Sequence, residues 1–117
     1  MALVLCTGSD PSLIETRKMI LEQAGHNVIT AVNGTQLTNA CEKYRFDVVV
    51  IGQTLIPTLK RAVASLIRQQ CPAARILELY PPYQGRTIED ADSWLIVPAE
   101  VPQDLAKRVD ELARGLK

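Results

Sequence analysis

The chain has 117 residues, of which 47% are hydrophobic and 22% charged, the balance of an ordinary globular protein. A chain of this length buries roughly two thirds of the surface it exposes when unfolded, so one domain over residues 1–117 needs neither metal nor disulfide. Thirteen Lys plus Arg cancel thirteen Asp plus Glu, which argues against a nucleic-acid surface, and no apolar run approaches the ~20 residues of a membrane span.

Residues 1–6 carry no basic leader and no small-residue cleavage site, so they read as a strand, and the expected location is the cytoplasm. The continuous apolar run 3–6 is that of a strand covered on both faces. Asp10 then offers an N-cap and Pro11 suits the first helical position. The helix that follows is expected to bury Leu13, Ile20, Leu21 and Ala24 and to stop at Gly25, which leaves His26 in an exposed turn. Residues 28–32 read as a second strand, broken by Asn33-Gly34, and Leu37, Ala40, Cys41 and Tyr44 form one helical stripe.

Residues 46–51 contain three valines and an isoleucine in succession, the pattern of a central parallel strand. A loop over 52–57 leads to a third helix, expected to bury Leu59, Val63, Leu66 and Ile67 and to end at Cys71-Pro72. Strands are predicted at 76–80 and 94–97. A last helix from Pro102 to the end turns Leu105, Val109, Leu112, Ala113 and Leu116 inward. The basic pairs Arg17-Lys18, Lys60-Arg61 and Lys107-Arg108 are assigned to outer helix faces. Cys6, Cys41 and Cys71 are widely spaced, and with the single His26 they lack metal-ligand spacing, so reduced, buried thiols are expected.

Five alternations of strand and helix imply an α/β fold with a doubly wound parallel sheet, right-handed crossovers and helices on both faces. Ligands of such sheets bind beyond the carboxyl ends of the strands. The loops to search are therefore 7–10, 52–57, 79–83 and 97–100.

Four segments carry a resemblance over nearly the whole chain: Leu3-Val4-Leu5-Cys6-Thr7-Gly8-Ser9-Asp10-Pro11, then 25–34, then Tyr44-Arg45-Phe46-Asp47-Val48-Val49-Val50-Ile51, then Trp94-Leu95-Ile96-Val97-Pro98 with its terminal helix. With them the chain resembles the receiver domain of bacterial response regulators (the CheY-like, flavodoxin-like fold). The resemblance implies a five-stranded sheet of order 2-1-3-4-5. It also implies a phosphoryl-accepting aspartate after the third strand, an acidic pair after the first strand that joins it in holding Mg²⁺, a hydroxyl after the fourth, and a lysine after the fifth.

At those positions this sequence places Gly52, Gly8 and Ser9, Leu79, and Val97. Asp10 remains close by, but an N-cap carboxylate is occupied by backbone N–H groups, and one carboxylate alone holds Mg²⁺ poorly. The expected protein is thus a degenerate receiver that works without phosphorylation, Mg²⁺, cofactor or catalysis. Its partner is expected to be a signalling protein or a second copy, with no nucleic acid and no membrane. The connection 79–94 is shorter than the family's and opens with Pro81-Pro82, so the fourth helix is expected to be shortened or absent, with at most one turn over 87–91. That loss is expected to remodel the face carrying Tyr80, Tyr83 and Trp94. Trp94 stands at the family's switch aromatic, either filling the core edge or meeting a partner. Two alternatives stay open: a phosphocysteine carrier similar to phosphotransferase-system IIB domains, using Cys6 and the loop Thr7-Gly8-Ser9, and a small-ligand sensor at loops 7–10 and 52–57.

Overall fold

The computed structural model describes residues 2–98 and 101–115. The elements run β1 (Leu3–Thr7), α1 (Pro11–Gln23), β2 (Asn27–Ala31), α2 (Gly34–Lys43), β3 (Val48–Ile51), α3 (Pro57–Gln70), β4 (Arg75–Tyr80), β5 (Ser93–Ile96) and α4 (Gln103–Ala113). All neighbouring strands pair in parallel, in the order β2-β1-β3-β4-β5. The period-2 alternation of the strands splits the interior into two cores. Leu5, Val49, Ile51 and Ile76 face α2 and α3, while Val4, Cys6, Val48, Val50, Leu77 and Leu95 face α1 and α4. The four residues of β3 are all buried, as expected of the central strand of a sheet covered on both sides.

Local signals set the helix ends. The Asp10 carboxylate accepts from the Ser12 and Leu13 amides at 3.0 and 3.3 Å, and Pro11 opens the helix. Asn33 caps α2 by accepting from the Gln36 amide at 2.9 Å, while Gln36 reaches back to the Val32 amide at 2.9 Å. Asp47, just before β3, accepts from the Leu3 amide at 2.8 Å and ties the start of β1 to its neighbour.

Several expectations about faces are corrected. In α1 the buried stripe is Ile14, Arg17 and Leu21; Leu13 and Ile20 lie at the edge toward α4, and Ala24 is the exposed C-cap. In α3 it is Lys60, Ala64 and Ile67. Leu59, Val63 and Leu66 are rotated toward α2, where they line a cleft with Leu37 and Leu55. In both helices a long basic side chain takes an inward position because a polar partner waits inside, so the apolar stripe turns by about one residue. His26 is buried because its Nδ1 accepts from the Ala2 amide at 3.1 Å. Arg108 is half-buried, donating to Ser93 Oγ at 2.9 Å and to the Trp94 carbonyl. Leu105, Val109 and Leu112 point inward as expected, Ala113 is exposed, and Leu116 lies outside the described residues.

No helix forms between β4 and β5. Residues 81–92 instead make two turns, one closed by the Gly85 amide on the Pro81 carbonyl at 3.1 Å and one by the Ala91 amide on the Ile88 carbonyl at 3.2 Å. Gly85 has φ +73°, which the first turn requires and which other residues adopt at a cost. Glu78 holds the segment from beneath. Its fully buried carboxylate accepts from the Thr87 amide at 2.9 Å, the Ile88 amide at 2.7 Å and Lys60 Nζ at 2.8 Å. Lys60 also donates to the Leu79 carbonyl at 2.8 Å, and Arg68 adds an ion pair to Asp92 at 3.2 Å. Buried charges in this arrangement are paired and hydrogen-bonded, the condition under which they are tolerated.

Candidate functional site at the carboxyl end of the sheet

The β1–α1 and β3–α3 loops meet above the carboxyl ends of the two central strands. The Gly52 amide donates to the Thr7 carbonyl at 2.8 Å, which extends the β1–β3 ladder by one bond. Ser9 Oγ and Thr54 Oγ1 lie 2.8 Å apart and the Ser9 amide reaches the same oxygen at 3.3 Å, so the two loops are stitched side by side. Gly8 packs on Gly52, since a Cβ added at Gly8 would lie 3.7 Å from the Gly52 Cα. At Gly52 the room is tighter: a Cβ there would stand 3.1 Å from Arg17 Nη1 and 3.2 Å from the Thr7 carbonyl oxygen.

Arg17 is the side chain that sequence reasoning missed. It rises from α1, is only 9% exposed, and donates through Nη2 to Gln53 Oε1. Burial pulls its guanidinium below the ordinary arginine value, partly offset by Cys6 and Asp10 nearby. The space beside Gly52 is therefore held by a fixed cation. The available signal was spacing, because Arg17 falls between Ile14 and Leu21 on one helical stripe, where a polar residue buries its head rather than its face.

Of the positions singled out from the sequence, Gly8, Ser9 and Gly52 are brought together here. Leu79 and Val97 lie nearby in the apolar core facing α1 and α4, where they line one groove with Arg17 and Gln53. Asp10 is turned to the α1 amides. Among the described residues no group of three or more His, Cys, Asp or Glu gathers to hold a metal ion. With one capping carboxylate and a guanidinium beside Gly52, these residues do not fit Mg²⁺, which needs several oxygen ligands.

Cys6 lies within β1 and is 1% exposed, and burial pushes its thiol up to about 12 against the opposing pull of Arg17. A thiol so protected is a poor nucleophile, which weighs against a phosphocysteine role for Cys6. Cys41 and Cys71 are also free and buried, Cys41 likewise pushed up to about 12 by burial and by its contact with Cys71.

Tyr80, Tyr83 and Trp94 belong to a different surface, at the β5 edge of the sheet. Trp94 packs half-buried against the core, its Nε1 donating to the Ile88 carbonyl at 3.0 Å. The Arg86 guanidinium lies 4.5 Å from the Trp94 ring centroid and 5.9 Å from that of Tyr80. Tyr83 is 91% exposed at the tip of the first turn.

Among the described residues no helix is long and apolar enough to cross a membrane. No protein-family model and no curated protein matches the chain. Solved structures do. A receiver domain of a signal transduction histidine kinase from Syntrophus aciditrophicus superposes with a TM-score of 0.82 at 22% identity, covering 100% of this chain and 93% of that one. The Francisella response regulator 1452 receiver domain gives 0.79 at 21% identity, with 100% of each chain covered. An adenylate cyclase from Rhodopirellula baltica gives 0.83 at 18% identity over 96% of this chain and 87% of that one. The neighbours are mainly receiver domains, and the sheet order and parallel pairing of this chain are those of the CheY-like receiver fold, with two turns where the fourth helix is expected.

Proposed function

We propose that this chain is a receiver-fold interaction module of two-component-type signalling in the cytoplasm, which engages a signalling protein or a second copy without being phosphorylated. One observation supports this reading above the others. The residue that follows β3 is Gly52, with no side chain to attack phosphorus, and the space beside it is taken by the Arg17 guanidinium. Gly8 and Ser9 supply no carboxylate, Leu79 no hydroxyl, and Val97 no cation for a transferred phosphoryl group. The surface left for a partner is the remodelled β5 edge, where Tyr80, Tyr83, Arg86 and Trp94 stand in place of a fourth helix. Aromatic and arginine side chains of this kind anchor protein interfaces.

The test is incubation with acetyl phosphate and Mg²⁺ followed by intact-protein mass spectrometry. The expected outcome is an unchanged mass. A Mg²⁺-dependent, acid-stable and base-labile phosphoryl adduct would overturn the proposal.

A further inference from the structure

Between α1, α4 and the ends of β4 and β5 runs a groove of about 210 Å³. Leu13, Ile20, Leu79, Leu95, Leu105 and Pro98 give it apolar walls, and Thr16, Arg17 and Gln53 are its polar lining. A guanidinium carries five N–H donors in a rigid fork. Among the described residues, Gln53 Oε1 is the only acceptor hydrogen-bonded to Arg17, and no carboxylate forms an ion pair with it. The nearest acidic group, Asp10, is committed to the Ser12 and Leu13 amides. A nine-tenths-buried cation with no direct ion pair, its nearby carboxylate Asp10 engaged in capping α1, is a costly arrangement beside an apolar groove, and an anion relieves it.

We propose that this groove binds a small organic monocarboxylate, its carboxylate paired with Arg17 and its alkyl or aryl body lying between α1 and α4. The carboxylate follows from the fork geometry and from a single positive charge. The apolar body follows from the walls. Size limits the ligand: 210 Å³ lies below the roughly 300–1,000 Å³ of pockets for drug-sized molecules and equals the space of about seven waters. Inorganic phosphate suits the site poorly, because it leaves the apolar walls uncovered and brings a second negative charge toward Asp10. The inference does not rest on the interaction-module reading, since a ligand here is compatible with either outcome of the acetyl phosphate experiment.

The probes are sodium benzoate and sodium hexanoate, with benzyl alcohol as the neutral counterpart and inorganic phosphate as the anion without a body. Binding is followed by thermal shift and by the ¹⁵N–¹H signals of arginine side chains. The expected result is saturable stabilisation by at least one of the two acids, with one guanidinium signal shifting and neither control acting. Arg17→Met, which keeps the volume and removes the charge, is expected to weaken binding about ten- to hundredfold. An equal response to benzyl alcohol, undiminished binding by Arg17→Met, or no saturable response up to roughly 10 mM acid would overturn the proposal. If Arg17→Met does not fold, the guanidinium signals of the unaltered protein decide, and their failure to move with either acid overturns it equally.

Discussion

Gly8 and Gly52 sit against each other at the carboxyl end of the sheet, yet they are glycine for different reasons. A methyl group at Gly8 meets only ordinary contacts at 3.7 Å, whereas one at Gly52 stands 3.2 Å from the Thr7 carbonyl oxygen, which the β1–β3 ladder holds in place. Neither residue has a positive φ, so the difference is one of space and not of backbone strain. Gly52→Ala is therefore expected to lower stability by about 1–2 kcal/mol, as overpacking against fixed atoms does. Gly8→Ala stays within about 0.5 kcal/mol of the unaltered protein because reduced freedom of the unfolded chain offsets the small contact cost. Urea unfolding of the two variants distinguishes them, and equal effects would show that the tight approach at Gly52 is not what keeps it glycine. At this scale the sequence was legible in part. That Gly8 and Gly52 sit just after the first and third strands, where the resemblance implies aspartates, follows from the run of strands. That a guanidinium fills the resulting space does not, since a single arginine on an amphipathic helix has the same composition facing in or out.

The same limit appears at the scale of elements, most clearly in what replaces the fourth helix. Pro81-Pro82 and the short connection announced its loss, because paired prolines remove donors and disfavour helix at the preceding residue. The device that then holds residues 81–92 was hidden in the strand run Ile76-Leu77-Glu78-Leu79-Tyr80, where nothing in the pattern marks Glu78 as an anchor. It is fully buried, gathering Lys60 and the Thr87 and Ile88 amides. Lys60→Met strands this carboxylate with backbone donors alone and is expected to cost about 3–5 kcal/mol. Adding Glu78→Gln removes the stranded charge while keeping one oxygen to accept from the loop, so the double variant is expected to recover at least half of that loss. A double-mutant cycle in urea measures it. Strictly additive losses would mean that the pair is not the unit that fastens the loop. The inward turn of α3 follows from the same pair: Lys60, Ala64 and Ile67 are spaced i, i+4, i+7, but hydropathy alone favours the neighbouring stripe of Leu59, Val63 and Leu66.

Across the whole molecule, the proposed independence of phosphorylation predicts that two surfaces, the end of β3 and the β5 edge, do not communicate. The end of β3 is filled by Arg17 and Gln53, and the β5 edge is fixed by its own contacts. Trp94 is held by the Ile88 carbonyl on one side and by Arg86 over its ring on the other. Leu79 lies fully buried in the opposite core, an apolar side chain among apolar neighbours. Because the chain contains one tryptophan, its fluorescence reports this edge alone. Beryllium fluoride with Mg²⁺ imitates an aspartyl phosphate, and Mg²⁺ by itself tests the cation site. Neither is expected to change the emission of Trp94 at concentrations up to roughly 10 mM Mg²⁺, a range in which a cluster of carboxylates would fill but a lone capping aspartate would not. Arg86→Ala is the positive control: it removes the cation from the ring face and is expected to alter the emission without unfolding the protein. A saturable change on adding Mg²⁺ with beryllium fluoride, abolished in Asp10→Asn, would mean that oxygen ligands do converge above β3 and that the two surfaces still communicate.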